Sequence, residues 1–312
     1  MDGVGKVAQC AWPGAHQVTA DHKAGFHNVS LSKSSWTYFG FNWLGVYYVW
    51  TVLCFGWCTS PYIYHSLSLA VAQYLRSQDI PVLAWIDDFY LTNFRSTRHL
   101  EHKEQFQAAQ VASYLAMSVF YRAGYFMSTV KCELIPTTRL VFLGVVCDSA
   151  LQRFEVPQDK LTKLEAILRE AIRAKLISFS MLEKLAGKCT SMSVAVPAAA
   201  LYTHFMYKVI AHFRKTGGKK HNTDIEVPQN SGLYFEMGKW LEVRGSMNGA
   251  SWYRAAHQVL TLYGATDASS SGWGGLIRSP AGRKSSRQQE IFLQNGQAGT
   301  SMCRKRTRWG RF

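Results

Sequence analysis

Pro81-Val-Leu-Ala-Trp-Ile-Asp-Asp-Phe-Tyr-Leu-Thr92 places apolar β-formers on both sides of an aspartate pair, Asp87 and Asp88. The pattern predicts a hairpin whose tight turn carries the pair. Side-by-side carboxylates repel, and a hairpin tip between apolar strands gains nothing from them in stability. Two readings account for the pair. One is a solvated Asp-Asp turn; the other is a seat for a divalent cation, because a hard cation takes carboxylate oxygens and cancels the repulsion.

Composition narrows the setting. The 312 residues are 47% hydrophobic and 13% aromatic, enough for one large domain or two with ample core. Lys and Arg number 35 against 20 acidic residues, a net charge of +15. That excess favours a polyanionic partner, nucleic acid above all, bound with an affinity that falls with salt. The seven cysteines (Cys10, Cys54, Cys58, Cys132, Cys147, Cys189 and Cys303) are scattered and form no CxxC or Cys/His cluster. They support neither a zinc site nor a disulfide framework and read as reduced thiols of the cytoplasm or nucleus. No signal pattern opens the chain and no apolar run reaches membrane-spanning length, so a membrane partner is not expected.

Around the hairpin, strand-like stretches are predicted at 18–31 and 36–53, the second strongly aromatic, with a turn near Asn42 and Leu44-Gly45. After Ser60-Pro61 the pattern turns helical, with Ile63, Leu67, Ala70, Val71 and Leu75 spaced for one apolar face. A helix is predicted over 98–123 and strands from Val130 to Val146 about a turn at Pro136. From Pro157 to about Phe213 the chain reads as helical, with Leu161, Leu164, Ile167, Leu168 and Ile172 as the buried stripe. Lys215-Thr-Gly-Gly-Lys-Lys220 has linker composition. A new β pattern opens at Val259 and continues through Gly272-Trp-Gly-Gly-Leu-Ile277, and there is no internal repeat.

Two-metal phosphoryl transfer requires carboxylates on neighbouring strands that hold a pair of cations about 3.5–4 Å apart. Asp87 and Asp88 supply one side. Asp21, at the end of a strand in Val18-Thr-Ala-Asp-His-Lys-Ala-Gly-Phe-His27, fits the other. Asp21-His-Lys-Ala-Gly-Phe26, Leu53-Cys-Phe-Gly-Trp-Cys-Thr-Ser-Pro61, Trp85-Ile-Asp-Asp88, Lys131 and Phe142-Leu-Gly144 stand in the order of the reverse transcriptase palm motifs. Over roughly residues 15–280 the chain resembles retrotransposon reverse transcriptases. With Thr266-Asp-Ala-Ser269 and Gly272-Trp-Gly-Gly275 it looks most like the DIRS-type group.

The resemblance implies an α+β chain: an antiparallel palm sheet with packed helices, then a helical thumb and a partial ribonuclease H-like β segment. Its divisions would be a fingers remnant or leader at 1–17, palm at 18–150, thumb at 151–213, connection at 214–258, and a truncated ribonuclease H-like segment with a basic tail at 259–312. It further implies Asp21, Asp87 and Asp88 as ligands of two Mg²⁺ ions, with Mn²⁺ as substitute. Lys131 would be the general acid for pyrophosphate. Phe26 would be the aromatic ring that excludes a 2′-hydroxyl. Phe55 and Gly56 would lie against the incoming nucleotide, and Phe142, Leu143 and Gly144 would hold the primer end. The implied partners are an RNA or DNA template–primer and a deoxynucleoside triphosphate. Lys160, Lys163, Arg169, Arg173 and Lys175 would face the duplex backbone from the thumb, and oligomeric state is not implied.

The chain departs from the pattern at several points. His22 stands where Leu is usual, Cys54 where Pro is usual, and Trp85 where Tyr is usual; a fingers region is expected ahead of Asp21 and only 20 residues stand there. The competing reading is a decayed, non-catalytic retroelement product that binds nucleic acid through its basic surface. A palm-fold nucleotidyl transferase of another kind, such as a cyclase, is disfavoured by Phe55-Gly-Trp57 and Phe142-Leu-Gly144. Asp267 matches the first aspartate of a ribonuclease H site, yet Glu290 is the only acidic residue after it. No ribonuclease H activity is therefore expected; specific cleavage of the RNA strand of an RNA/DNA hybrid in Mg²⁺ would contradict this.

Overall fold

Val82–Trp85 and Asp88–Thr92 pair antiparallel with Trp85 opposite Asp88, so the predicted hairpin turns on two residues, Ile86 and Asp87. The structure, a computed structural model, describes residues 1–215 and 223–252 and strand backbone at 263–268, 272–278, 295–296 and 307–308. It separates into two units, Met1–Tyr253 and Arg254–Phe312.

In chain order the first unit begins with α1 (Val7–Cys10), β1 (Gln17–Asp21), β2 (Gly40–Trp43), β3 (Val46–Val49), α2 (Ser60–Ser77), β4 (Val82–Trp85), β5 (Asp88–Thr92) and α3 (His102–Arg122). It continues with β6 (Glu133–Thr137), β7 (Arg139–Phe142), β8 (Val145–Asp148), β9 (Arg153–Glu155), α4 (Gln158–Ala174), β10 (Leu176–Ser178) and α5 (Phe179–Ser191). α6 (His204–Lys215), β11 (Asp224–Glu226), α7 (Gly232–Leu241) and β12 (Ala250–Ser251) complete it.

The central sheet has the order β4-β5-β1-β6. Strand alternation sends its side chains to two cores. Val18, Ala20, Val82, Ala84, Phe89 and Leu91 pack with Ala72 and Leu75 of α2 and Ala112, Ala116 and Phe120 of α3. Leu83 and Tyr90 face the other way and join Leu140 and Phe142. The second sheet, β12-β9-β8-β7, meets the first around Gln17. The fully buried Gln17 amide donates to the Thr138 carbonyl at 2.7 Å and accepts from the Tyr90 hydroxyl at 2.7 Å.

The helical part is built on the stripe read from the sequence. Leu161, Leu164 and Leu168 of α4 are buried against Leu182 and Leu185 of α5, Met206 and Ile210 of α6, and Met237 and Trp240 of α7. Ile167 and Ile172 flank that core. The buried Glu236 carboxylate accepts from the Phe205 and Met206 backbone N–H groups at 2.7 and 2.9 Å, closing the first turn of α6. Burial still pushes the Glu236 carboxyl above the ordinary glutamate range. α7 and β11 arise from residues expected as connection, and β10, which pairs with β11, interrupts the run from Pro157 to Phe213 expected as helical.

Several expectations are corrected. The strand predicted over 18–31 ends at Asp21, and short 3-10 turns follow at Gly25–Asn28 and Lys33–Phe39. The aromatic hairpin is real, with Leu44 and Gly45 both at positive φ in its turn, but β2 and β3 are exposed throughout. Pro136 lies inside β6, which it can do because β6 is an edge strand that meets β1 through a register shift. α2 buries Tyr64, His65, Ser68, Ala72 and Leu75, leaving Leu67 exposed, so its inner face is a row of small and polar residues. Positions 216–220 of the expected linker fall outside the described residues.

The second unit has strands β13 (Tyr263–Ala268), β14 (Gly272–Arg278), β15 (Asn295–Gly296) and β16 (Thr307–Arg308) in the order β15-β14-β13-β16. The Asp267 backbone stands opposite Gly274; its side chain lies outside what is described, as does most of the basic tail. No helix among the described residues is long and apolar enough to cross a membrane.

Arg139 on β7 bridges Asp148 of β8 at 2.8 Å and Glu155 of β9 at 2.5 Å, and Arg153 also pairs with Glu155. The hydrogen bond from Arg139 holds the Glu155 carboxyl below the ordinary glutamate value of 4.5. A depressed carboxylate contributes stability that is whole above the unfolded value and is lost as pH falls through the folded one. The urea midpoint should therefore drop less between about pH 6 and about pH 3 in Glu155→Gln than in the unaltered chain.

Candidate active site

Asp21 closes β1 directly opposite Asp88, the first residue of β5. This register brings together two of the three carboxylates expected from sequence, and Asp87 sits beside them on the hairpin tip. The tip is held in an uncommon backbone state, since Ile86 has φ 56° although it is β-branched. Its N–H donates to Nδ1 of buried His65 at 3.4 Å. Burial lowers the His65 pKa, which keeps that nitrogen available as an acceptor.

Asp21 is buried, and Asp87 and Asp88 are half-buried. Burial raises the Asp87 pKa, and the Asp21 charge raises it further. The Asp88 carboxyl is pushed up to about 6, first by burial and then by Asp87 and Asp21. The nearby cation is Lys131, whose Nζ lies 3.3 Å from Asp21 Oδ2 while most of its side chain stays in solvent. Cys132 anchors the same strand end, with its Sγ accepting from the Asp21 N–H at 3.2 Å.

Among the described residues no set of three or more His, Cys, Asp or Glu closes into a ready metal cage. The donor set nonetheless suits a hard divalent cation: only carboxylate oxygens, gathered where two strands meet, with like charges that help push the Asp87 and Asp88 carboxyls up.

Phe26 lies in the 3-10 turn Gly25–Asn28 that follows β1. Its ring is 5.4 Å from that of Phe55, which is exposed, and 5.5 Å from that of Tyr64, which is fully buried. Gly56 follows at φ 89°, a conformation that suits glycine. Phe142 is buried at the end of β7, 5.3 Å from the Tyr90 ring, and Leu143 and Gly144 form the turn into β8 with φ of 47° and 75°. Lys160 of α4 donates to the Gly144 carbonyl at 2.8 Å, so it engages this turn, whereas Lys163, Arg169, Arg173 and Lys175 are exposed.

Sequence reading missed Tyr64, His65 and Cys132. Tyr64 had a signal: Ser60, Ser68 and Ala72 share its helix face at spacings of four, and such small side chains permit the close approach that an aromatic ring then fills.

A carboxylate-tipped antiparallel sheet backed by two helices and followed by a helical bundle resembles the palm and thumb of solved reverse transcriptase structures. Residues 8–147 match the sequence model of the family described as reverse transcriptase (RNA-dependent DNA polymerase). No curated protein matches the chain by sequence. Among solved structures it is similar to the foamy viral protease-reverse transcriptase in complex with RNA/DNA hybrid. The TM-score is 0.61 at 15% identity over 96% of this chain and 36% of that one. The same viral protein in complex with dsDNA gives 0.57 at 16% identity, covering 96% and 54%. The chain thus spans between about a third and about half of those structures.

Gly25 tests the packing under Phe26. A Cβ there would lie 2.6 Å from Cζ and the hydroxyl of Tyr64, which is fully buried and has no room to retreat. Gly25→Ala should cost about 1–3 kcal/mol, read as a lower urea midpoint at unchanged slope; an unchanged midpoint would contradict this placement of Tyr64.

Proposed function

We propose that this chain is the palm and thumb of a retrotransposon reverse transcriptase of the DIRS type. On this reading it extends a primer 3′-hydroxyl with deoxynucleoside triphosphates on an RNA or DNA template. The observation that carries the reading is the register of β1 on β5, which sets Asp21 opposite Asp88 with Lys131 alongside.

In this reading Asp21, Asp87 and Asp88 would hold two Mg²⁺ ions. When bound, these supply the positive charge that favours the 3′-alkoxide and the departing pyrophosphate. The primer 3′-oxygen, having lost its proton to solvent, attacks the α-phosphorus, the bond from that phosphorus to the bridging oxygen breaks, and pyrophosphate leaves with the electron pair. Lys131, on a largely exposed side chain, gives the leaving oxygen its proton. Phe26 packs under the sugar and excludes a 2′-hydroxyl. Phe55 and Gly56 bound the nucleotide, and Phe142, Leu143 and Gly144 hold the primer end in line. The exposed cations of α4 track the phosphate backbone without reading sequence.

Primer extension on poly(rA) with an oligo(dT) primer tests this. Asp87→Asn combined with Asp88→Asn should lower the rate roughly a thousandfold or more while template–primer binding persists. A chain that binds template–primer but extends nothing, before and after the substitutions, would leave the non-catalytic nucleic-acid-binding reading in its place.

A further inference from the structure

We propose that His22 and Tyr64 form a buried hydrogen-bonded pair that positions Phe26 and so sets how strictly the site rejects ribonucleotides. This rests on the reading of Phe26 as the ring facing the sugar.

The pair is built deep in the protein. His22 Nδ1 and the Tyr64 hydroxyl are 2.7 Å apart, and His22 and Tyr64 are 2% and 0% exposed. His22 Nε2 has no hydrogen-bond partner among the described residues, so Tyr64 is the polar anchor of the ring. The imidazole is wedged among aromatic rings: Tyr125 stacks on it at 4.2 Å, Phe89 lies 4.6 Å away and Phe120 meets it edge-on at 5.0 Å. A ring enclosed on three sides has little freedom, and the hydrogen bond transfers that rigidity to Tyr64.

Tyr64 in turn forms the floor under the gate. It touches the backbone at Gly25, where no side chain would fit, and its ring meets that of Phe26 edge-on at 5.5 Å. Phe26 is only half-buried, and its other ring neighbour, Phe55, is exposed, so the rigid contact of Phe26 is the one with Tyr64. A steric gate discriminates by refusing to move, because a ring able to shift by a fraction of an ångström would admit the extra oxygen. His22 and Tyr64 touch neither metal nor nucleotide in this scheme and are positioning residues.

The test compares dTTP with UTP on poly(rA)/oligo(dT) for the unaltered chain, Tyr64→Phe, His22→Leu, the double variant and Phe26→Ala. Either single variant should lower the ratio of kcat/KM for dTTP over UTP about fivefold to tenfold, chiefly through a lower KM for UTP. The double variant should do no more than either alone, as expected for two partners in one bond. The ratio is taken within one preparation and is independent of the active fraction. A purely structural role would lower thermal stability and leave the ratio unchanged, which would overturn the proposal. If Phe26→Ala relaxes selection and Tyr64→Phe does not, the pair is refuted while the gate stands. If Phe26→Ala changes nothing, the gate reading fails and the pair's role falls with it. For a preparation that does not extend primers, equilibrium binding of dTTP and UTP to the chain on a dideoxy-terminated template–primer reads the same ratio. Absence of a dTTP preference there overturns the proposal.

Discussion

The pairing of β1 with β5 sets Asp21 against Asp88, and that juxtaposition costs the fold stability. Like carboxylates directly opposite on antiparallel strands destabilise a sheet, and the Asp88 carboxyl pushed up to about 6 records that cost together with burial. The surroundings hold the arrangement in place. Nδ1 of His65 takes the N–H of Ile86 in its left-handed turn, Cys132 grips the Asp21 backbone, and the core strands behind the turn are apolar and close-packed. A strained, repulsive tip on a well-packed base is what a site needing charge at one point requires.

A second constraint fixes the distance between this tip and the turn at Leu143-Gly144. Gln17 lies at the start of β1 and reaches the carbonyls of Thr138 and Cys147, while Tyr90 of β5 donates to it. Gln17 is fully buried, so each bond left unmade there would leave a dry polar group. β1 and β5, which carry the carboxylates, are thereby tied to the sheet that carries the Leu143-Gly144 turn. Lys160 ties that turn in addition to the first thumb helix, where a side chain on Gly144 would run into its ammonium group. Palm, turn and thumb share one core, and the polar links select a single arrangement of it.

How much of this was legible in the sequence depended on whether a local pattern carried the information. The Asp87-Asp88 hairpin and the α4 stripe were legible because alternation and helical periodicity state them within a few residues. The inner face of α2 was not, because it is lined by Tyr64, His65 and Ser68, residues that hydropathy assigns to solvent and that only tertiary partners make interior. Pro136 read as a turn because the argument against proline in strands holds for central strands, and position in the sheet is not a local property. The strand predicted over 18–31 failed for a related reason: Ala24 at φ 54° breaks it, and no residue type announced that turn. Asp21 and Asp88 were legible as candidates, but their facing each other is a fact of pairing that no single segment contains.

Charge at two scales completes the picture. The chain carries +15 overall, and α4 with the residue that follows it exposes Lys163, Arg169, Arg173 and Lys175. Those cations draw a polyanion at long range and are weakened by salt over a screening length of about 10 Å. The carboxylate cluster is a small negative island within that surface, with Lys131 against it. A nucleic-acid backbone is, on the proposed reading, attracted by the molecule as a whole and repelled at the point where its end would lie. On the proposed reading, divalent cations reverse only the local sign. Binding of the duplex and engagement of its end then answer to different ions: monovalent salt competes for the thumb, and divalent cations decide whether the primer terminus settles between Asp21 and Asp88.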